Sequence, residues 1–463
     1  MALLEEDHAF EIADVVIAAS DADETEVSVS CVEERFVRFA HEGPTQSADR
    51  EKYLVAVRAR FRGVGGGFRE ARATTGGLDE ASILGALGRA CTLARVTTDD
   101  HEATPLQGAG VGEASVPGTA PSRPTQDHST REKAAWVAEA LRAAEAADLE
   151  ASGLALTRVA SRSLVNSAGR RVHGATSGAS FEVTCVSQGA DAETVGGAAA
   201  ARTSRSFADQ VDAAAVAAEA VEAASLGRDP GEVKPGEIDV VLSPQAVASL
   251  LTFAGHVGFG AREVALGQSF MAGRIGDSAL SDQISIFDDP GHPEHRGWLF
   301  DGEGTRTHRT PLVEGGRLLD PVTDARWAQR MGVKDSGHSL PQPSAAGPKP
   351  RYLVLRGGDA STAELVARIG DGLYVRQLHY VNLVEPRELV LTGMTRGGLF
   401  RISGGELGGP VQNLRFTESL VGALQRVVGV GADVERCGSL MGGEVVAPAL
   451  AIRGFKFTSG VER

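Results

Sequence analysis

Three stretches near the start of the chain show a period of two in their apolar residues. They are Glu26 to Val32 (EVSVSCV), Phe36 to Phe39 (FVRF) and Tyr53 to Phe61 (YLVAVRARF). Successive side chains of an extended segment point to opposite faces, so each stretch has one apolar face to bury. The spacing predicts half-buried antiparallel strands, with Gly63 to Gly67 as a turn. Leu78 to Val96 then places Ile83, Leu84, Leu87, Cys91 and Ala94 at helical spacing, with Asp79 and Glu80 at the start, where carboxylates favour the helix dipole. Ser129 and Glu132 have the spacing of a capping box and open an Ala-rich helix to about Ala147. A hairpin around Ser167-Ala168-Gly169, an alternating strand from Ser180 to Ser187 and a second Ala-rich helix from Asp209 to Leu226 follow. Residues 102–128 are rich in Gly, Pro, Ser and Thr and read as a flexible linker or loop.

The pattern changes after Gly227-Arg228-Asp229-Pro230-Gly231. A chain of 463 residues exceeds what one core ordinarily serves, and the boundary is expected here: an N-terminal α+β domain over 1–231 and a C-terminal β-rich domain over 232–463. Short strands are expected at Asp239–Leu242, Ile284–Phe287, Thr310–Leu318, Tyr352–Arg356, Glu388–Met394, Leu399–Ile402 and Ala449–Ile452. Helices are expected at Pro244–Val257, Ser361–Asp371 and Thr417–Val428. The fold class is α+β. A sandwich-like first domain with mostly antiparallel strands precedes a curved sheet or partial barrel with outer helices.

The formal charge of −15 repels phosphate backbones and anionic lipid, which argues against nucleic-acid and membrane partners. No apolar run reaches the roughly 18 residues of a membrane span, and the acidic N-terminal stretch is unlike a secretory leader. Cys31, Cys91, Cys185 and Cys437 are too scattered for a disulfide framework. A cytoplasmic location is expected.

The zinc-peptidase helix needs two His on one face with a Glu between them. His41-Glu42 and His101-Glu102 lack the second His and are followed by Pro, so they are expected in turns. His292-Pro293-Glu294-His295 is the densest group of possible ligands but reads as a surface loop. Asp288 and Asp289 read as a turn before Pro290. There is no Gly-x-Ser-x-Gly elbow and no P-loop.

Several ordered stretches resemble the TldD/PmbA (TldD/TldE) metallopeptidase family. They are Gly236 to Val247, Gly267 to Gly276 (GQSFMAGRIG), Asp288-Asp289-Pro290, Phe300 to Leu318 (FDGEGTRTHRTPLVEGGRL), Gly409-Pro410-Val411 and Val430 to Val434. The family's catalytic subunits carry a His-Glu-x-x-x-His helix and a cysteine zinc ligand near the C-terminus. Under the resemblance, Thr252, Phe253 and Val257 stand at the positions of that motif, with His256 one residue off the second His, and Cys437 corresponds to the cysteine. The resemblance implies a TldE/PmbA-type subunit with no catalytic residue or metal in this chain, and zinc in a TldD-type partner. It would position extended or unfolded peptides, including precursors of peptide natural products. The alternative expectation is a stand-alone hydrolase using Cys437 with His292, His295 and His308.

Overall fold

A computed structural model describes residues 3–108, 122–187, 197–438 and 444–460. The first half contains helix α1 (Glu6–Ala19), strands β1 (Glu24–Ala40), β2 (Gly43–Arg62) and β3 (Phe68–Thr75), and helices α2 (Glu80–Val96), α3 (Arg123–Asp127) and α4 (Thr130–Ala146). Strands β4 (Glu150–Asn166), β5 (Arg171–Val186) and β6 (Ala198–Arg205) and helix α5 (Ala213–Leu226) complete it. The strands form one antiparallel sheet in the order β3-β2-β1-β4-β5-β6. Alternation decides its faces. Val27, Val29 and Cys31 of β1 and Val55 and Val57 of β2 pack under α1 and α2, while Ala155 of β4 and Phe181 and Val183 of β5 pack under α4 and α5. All helices of these two clusters cover that one face, so the opposite face is left for the second half of the chain.

The second half begins with β7 (Glu237–Leu242), α6 (Pro244–Val257), α7 (Ala261–Ala265), β8 (Ile286–Asp288), β9 (Thr310–Glu314), β10 (Arg317–Leu318), α8 (Ala325–Met331), β11 (Leu353–Leu355) and α9 (Thr362–Ile369). It continues with β12 (Gly372–Glu385), β13 (Val390–Ser403), β14 (Glu406–Pro410), β15 (Leu414–Ser419), α10 (Leu420–Gln425), β16 (Val427–Gly438) and β17 (Glu444–Gly460). They build an eleven-stranded mixed sheet. Strand β7 pairs in parallel with β12 and antiparallel with β17, so one end of the sheet rolls over, while the arm running β11-β8-β9-β10 stays open. The architecture is therefore the expected α+β one, a curved sheet that does not close into a barrel. No helix of the described residues is long and apolar enough to cross a membrane.

Helix α6 starts where the sequence predicts. Ser243 accepts from the Ala246 N–H at 3.2 Å, and Pro244, whose missing N–H costs nothing in a first helical turn, follows it. The Ser129–Glu132 capping box forms as expected. Three of these expectations need correction, and one helix was missed. Thr417–Val428 is helical only over Leu420–Gln425, because Thr417 belongs to β15 and Val427 and Val428 to β16, where β-branched residues pack well. Of the two strands expected at Glu388–Met394 and Leu399–Ile402, Glu388 and Leu389 lie in a turn, and residues 390–394 and 399–402 are parts of one strand, β13. The turn-like glycines between them, Gly397 (φ 65°) and Gly398 (φ 122°), take positive φ inside it. The linker expected at 102–128 is ordered at both ends. The Thr104 and Gln107 carbonyls accept from Arg60 (2.8 Å) and Asn166 (3.0 Å), and α3 is held by Arg35 donating to the Gln126 carbonyl at 3.0 Å. The centre of that linker, 109–121, lies outside the described residues. Finally, α1 was not anticipated, although Ala9, Ile12, Ala13 and Val16 form its buried stripe.

Candidate functional site

The uncovered face of the first sheet meets the second half of the chain across a cleft of 690 Å³. Strand parity selects its floor. Leu156, Arg158 and Ala160 of β4 point the same way, and the register sets Leu156 opposite Ser180 and Ser180 opposite Ser204. Arg158 lies opposite Gly178, which leaves room above the strand. Ser204 is 1% exposed, and among the described residues its Oγ has no hydrogen-bond partner.

Helix α6 supplies one wall. Thr252, Gly255 and His256 face the cleft, whereas Gln245, Ser249 and Phe253 line a second cavity of 560 Å³. Residues four apart share a helical face, which explains both sets. Of the residues at the motif positions, only Thr252 reaches this cleft: Phe253 looks the other way and Val257 packs against the core. The Thr252 hydroxyl donates back to the Ala248 carbonyl at 2.9 Å. His256 Nδ1 donates to the Thr252 carbonyl at 2.8 Å, which leaves Nε2 as the nitrogen with a free lone pair in the neutral ring.

The second wall is held by Asp288. It is buried in β8 rather than exposed in a turn, and its Oδ1 accepts from the Arg351 N–H at 2.8 Å and the Tyr352 N–H at 2.5 Å. Its Oδ2 lies 3.1 Å from His338 Nε2, and Ser336 Oγ stands 2.9 Å from Nδ1 of the same ring. This fixes the segment presenting Lys349, Arg351 and Tyr352. The expected surface loop at His292 to His295 is also corrected. His295 is buried, donates from Nε2 to the Leu353 carbonyl at 3.0 Å, and is held below the usual imidazole range by that burial. Both His-Glu pairs elsewhere do sit in turns.

Arg436 of β16 fastens the two halves. Its buried guanidinium donates to the Glu294 carbonyl at 2.7 Å, the Arg205 carbonyl at 2.7 Å and Ser206 Oγ at 3.2 Å. Its neighbour Cys437 is a core residue whose thiol lies 3.7 Å from the Glu435 carbonyl, and burial pushes its ionisation far upward. Among the described residues nothing bonds it to His292, His295 or His308. Nor does any group of three or more His, Cys, Asp or Glu stand where it could share an ion. A hydroxyl engaged by its own helix, a phenyl ring in another cavity and a protonated thiol do not fit a zinc site.

Charge distinguishes the cleft from the rest of the surface. Its described lining contains Arg158, Arg202, Arg296, Lys349, Arg351 and Arg436 against the single acid Glu444, in a chain of net charge −15. Leu156, Trp298, Pro350 and Leu353 add apolar wall. Such a site can hold and orient a ligand; among the described residues the two histidines of its lining, His256 and His295, bond to backbone carbonyls rather than to a hydroxyl of the cleft.

Residues 235–459 match the model of the PmbA/TldA metallopeptidase C-terminal domain. A metalloprotease of Methanothermobacter thermautotrophicus is 29% identical over 203 residues, 43% of this chain and 43% of its own length. This C-terminal part of the chain is similar to PmbA/TldD-family metallopeptidases. Another PmbA/TldD relative, the zinc metalloprotease TldD homolog of Saccharolobus solfataricus, is 26% identical over 211 residues, 43% of this chain and 45% of its own length. The matches thus span less than half the length of these curated relatives. The crystal structure of TldE from Thermococcus kodakarensis has the same fold, with a TM-score of 0.80 at 18% identity over 98% of this chain and 99% of that one. Zinc metalloproteases therefore occur within the PmbA/TldD family.

Proposed function

We propose that this chain is the non-catalytic, substrate-positioning subunit of a heterodimeric TldD/TldE-type zinc peptidase. In this reading residues 1–231 and 232–463 are its two domains. It works in the cytoplasm, and its partner, a TldD-type homologue with an intact His-Glu-x-x-x-His helix, holds the zinc. The substrate is an extended or unfolded peptide, such as the precursor of a peptide natural product.

One observation carries the reading. Helix α6 presents Thr252, Gly255 and His256 to the cleft where a metallopeptidase helix presents two imidazoles and a carboxylate. The remaining surface suits the holding of a chain. The cleft floor is the face of a sheet, and an extended peptide laid there meets hydroxyls and cations on one side and apolar wall on the other. The test is co-expression with such a homologue, followed by co-purification, metal analysis and cleavage of an unfolded polypeptide. The expected result is a complex with zinc in the partner and cleavage that needs both chains. Zinc-dependent cleavage by this chain alone would refute the reading, as would full activity of the partner without it.

A further inference from the structure

We propose that the cleft selects acidic peptide segments, with side-chain carboxylates meeting Arg351 and Arg296 and a polar group of the bound segment engaging Ser204. The inference rests on the peptide-positioning reading above and names the class of peptide.

The cations of the cleft are not equivalent. Lys349 is matched by Glu263 at 2.8 Å, and Arg158 and Arg202 lie 3.7 Å and 3.9 Å from Glu34 and Glu182. Arg436 donates to backbone carbonyls and Ser206 and lies 3.4 Å from Glu444. Arg351 and Arg296 are different. Among the described residues neither guanidinium has a carboxylate partner, and Arg296 rests on the Phe207 ring with its carbon 4.4 Å from the centroid. The Arg351 backbone is at the same time pinned by Asp288, so the side chain springs from a fixed point on the wall.

The second observation is independent of charge. A buried hydroxyl without a partner forfeits hydrogen-bond energy that water or a ligand restores. Ser204 Oγ is such a group, and it lies on the cleft floor in the row that runs from Leu156 through Ser180. A floor with a waiting hydroxyl and a wall with unmatched guanidinium groups suit a chain that offers both backbone amides and carboxylates. The overall charge of −15 disfavours a long polyphosphate, whose field extends well beyond the cleft. A short acidic segment feels mainly the charges within about one Debye length, roughly 8–10 Å, and those are positive here.

The test uses the purified full chain and three short fluorescein-labelled peptides of equal length, rich in Glu, in Lys, or in Ser and Gly, read by fluorescence anisotropy. The Glu-rich peptide is expected to bind about tenfold more tightly than the neutral one at low salt, with the advantage shrinking as salt screens it. Charge reversal by Arg351→Glu or, at the exposed position, Arg296→Glu should each weaken it by about fivefold to tenfold, with far-UV circular dichroism and Tm verifying the fold. Ser204→Ala should weaken all peptides that bind, without lowering Tm. If the three peptides bind alike, acid selection is wrong and peptide positioning stands; if none binds, both fail. Undiminished binding of the Glu-rich peptide to both charge-reversed chains overturns the site, and tighter binding of a single-stranded oligonucleotide overturns the ligand class.

Discussion

His338 Nε2 lies 3.1 Å from Asp288 Oδ2, with both side chains buried, and the other carboxyl oxygen of Asp288 accepts from the backbone of Arg351 and Tyr352. One short side chain thus joins an imidazole on one loop to the wall of the cleft on another. Replacing Asp288 with Ala leaves three donors without an acceptor in a dry place. The expected loss is about 3 kcal/mol or more, since each orphaned buried donor costs roughly 1–3 kcal/mol. Asp288→Asn keeps one acceptor oxygen for the backbone, and His338 can adapt by changing tautomer, so it should lose less than half as much. Urea denaturation of both variants measures the difference, and equal losses would contradict this account.

Cys437 makes a second case. A buried thiol whose ionisation is driven upward holds almost no thiolate at neutral pH, and the thiolate is the reactive form. Iodoacetamide should leave Cys437 untouched in the native protein and modify it in urea, as read by peptide mass spectrometry. Cys437→Ala should cost about 1–2 kcal/mol by opening a small cavity, with partner-dependent peptidase activity retained. Rapid native labelling, or loss of that activity in a folded variant, would restore the cysteine to the chemistry.

Lys133 predicts a pH dependence. Its side chain is 0% exposed, its Nζ donates to the His128 carbonyl at 2.8 Å, and burial lowers the ammonium from 10.5 to about 8. The folded chain therefore releases this proton near pH 8, while the unfolded chain keeps it to 10.5. Between those values the unfolded state binds more protons, so this group makes stability rise with pH, by about 3 kcal/mol across the window, and below pH 8 its penalty is complete. Lys133→Met should remove that rise. Denaturation midpoints of both proteins, followed from neutral pH to about pH 10, test it; parallel curves would show that Lys133 contributes nothing.

Helix α6 gives a fourth prediction. Installing the full motif by Thr252→His, Phe253→Glu and Val257→His should not create a metal site, because only position 252 of the three faces the cleft. Phe253→Glu places a carboxylate at a mostly buried position and should alone cost about 2–4 kcal/mol. Metal analysis and Tm of the triple variant decide the matter. Stoichiometric zinc with an undiminished Tm would mean that the helix can rotate to serve an ion.

Much of the fold was legible because local rules carry it. The alternation at Val27, Val29 and Cys31 identified a strand and its buried side, and Ser243-Pro244 marked the start of α6. The cleft was far less legible. Arg158 and Ser204 lie on a sheet face that is neither core nor open surface, and periodicity alone separates two faces without saying what each one meets. Asp288 looked like a turn residue because its partners stand 50 and 63 positions later, at His338 and Arg351, where no local pattern reaches. His295 was hidden for the same reason: its acceptor, the Leu353 carbonyl, is 58 positions away. That helix α6 lacks the His-Glu-x-x-x-His pattern was readable from Thr252 and Phe253, but the cavity that each of them faces was not.

The guanidinium of Arg436 is shared between the end of one sheet and the loop that follows β8 on the other, and this has a mechanical consequence. Prising the halves apart at that point would strip a desolvated cation of its acceptors, so the jaw is stiff there and the gap keeps its width. Whatever yielding the molecule needs in order to thread a longer guest must come from the far lip, beyond the reach of that rivet.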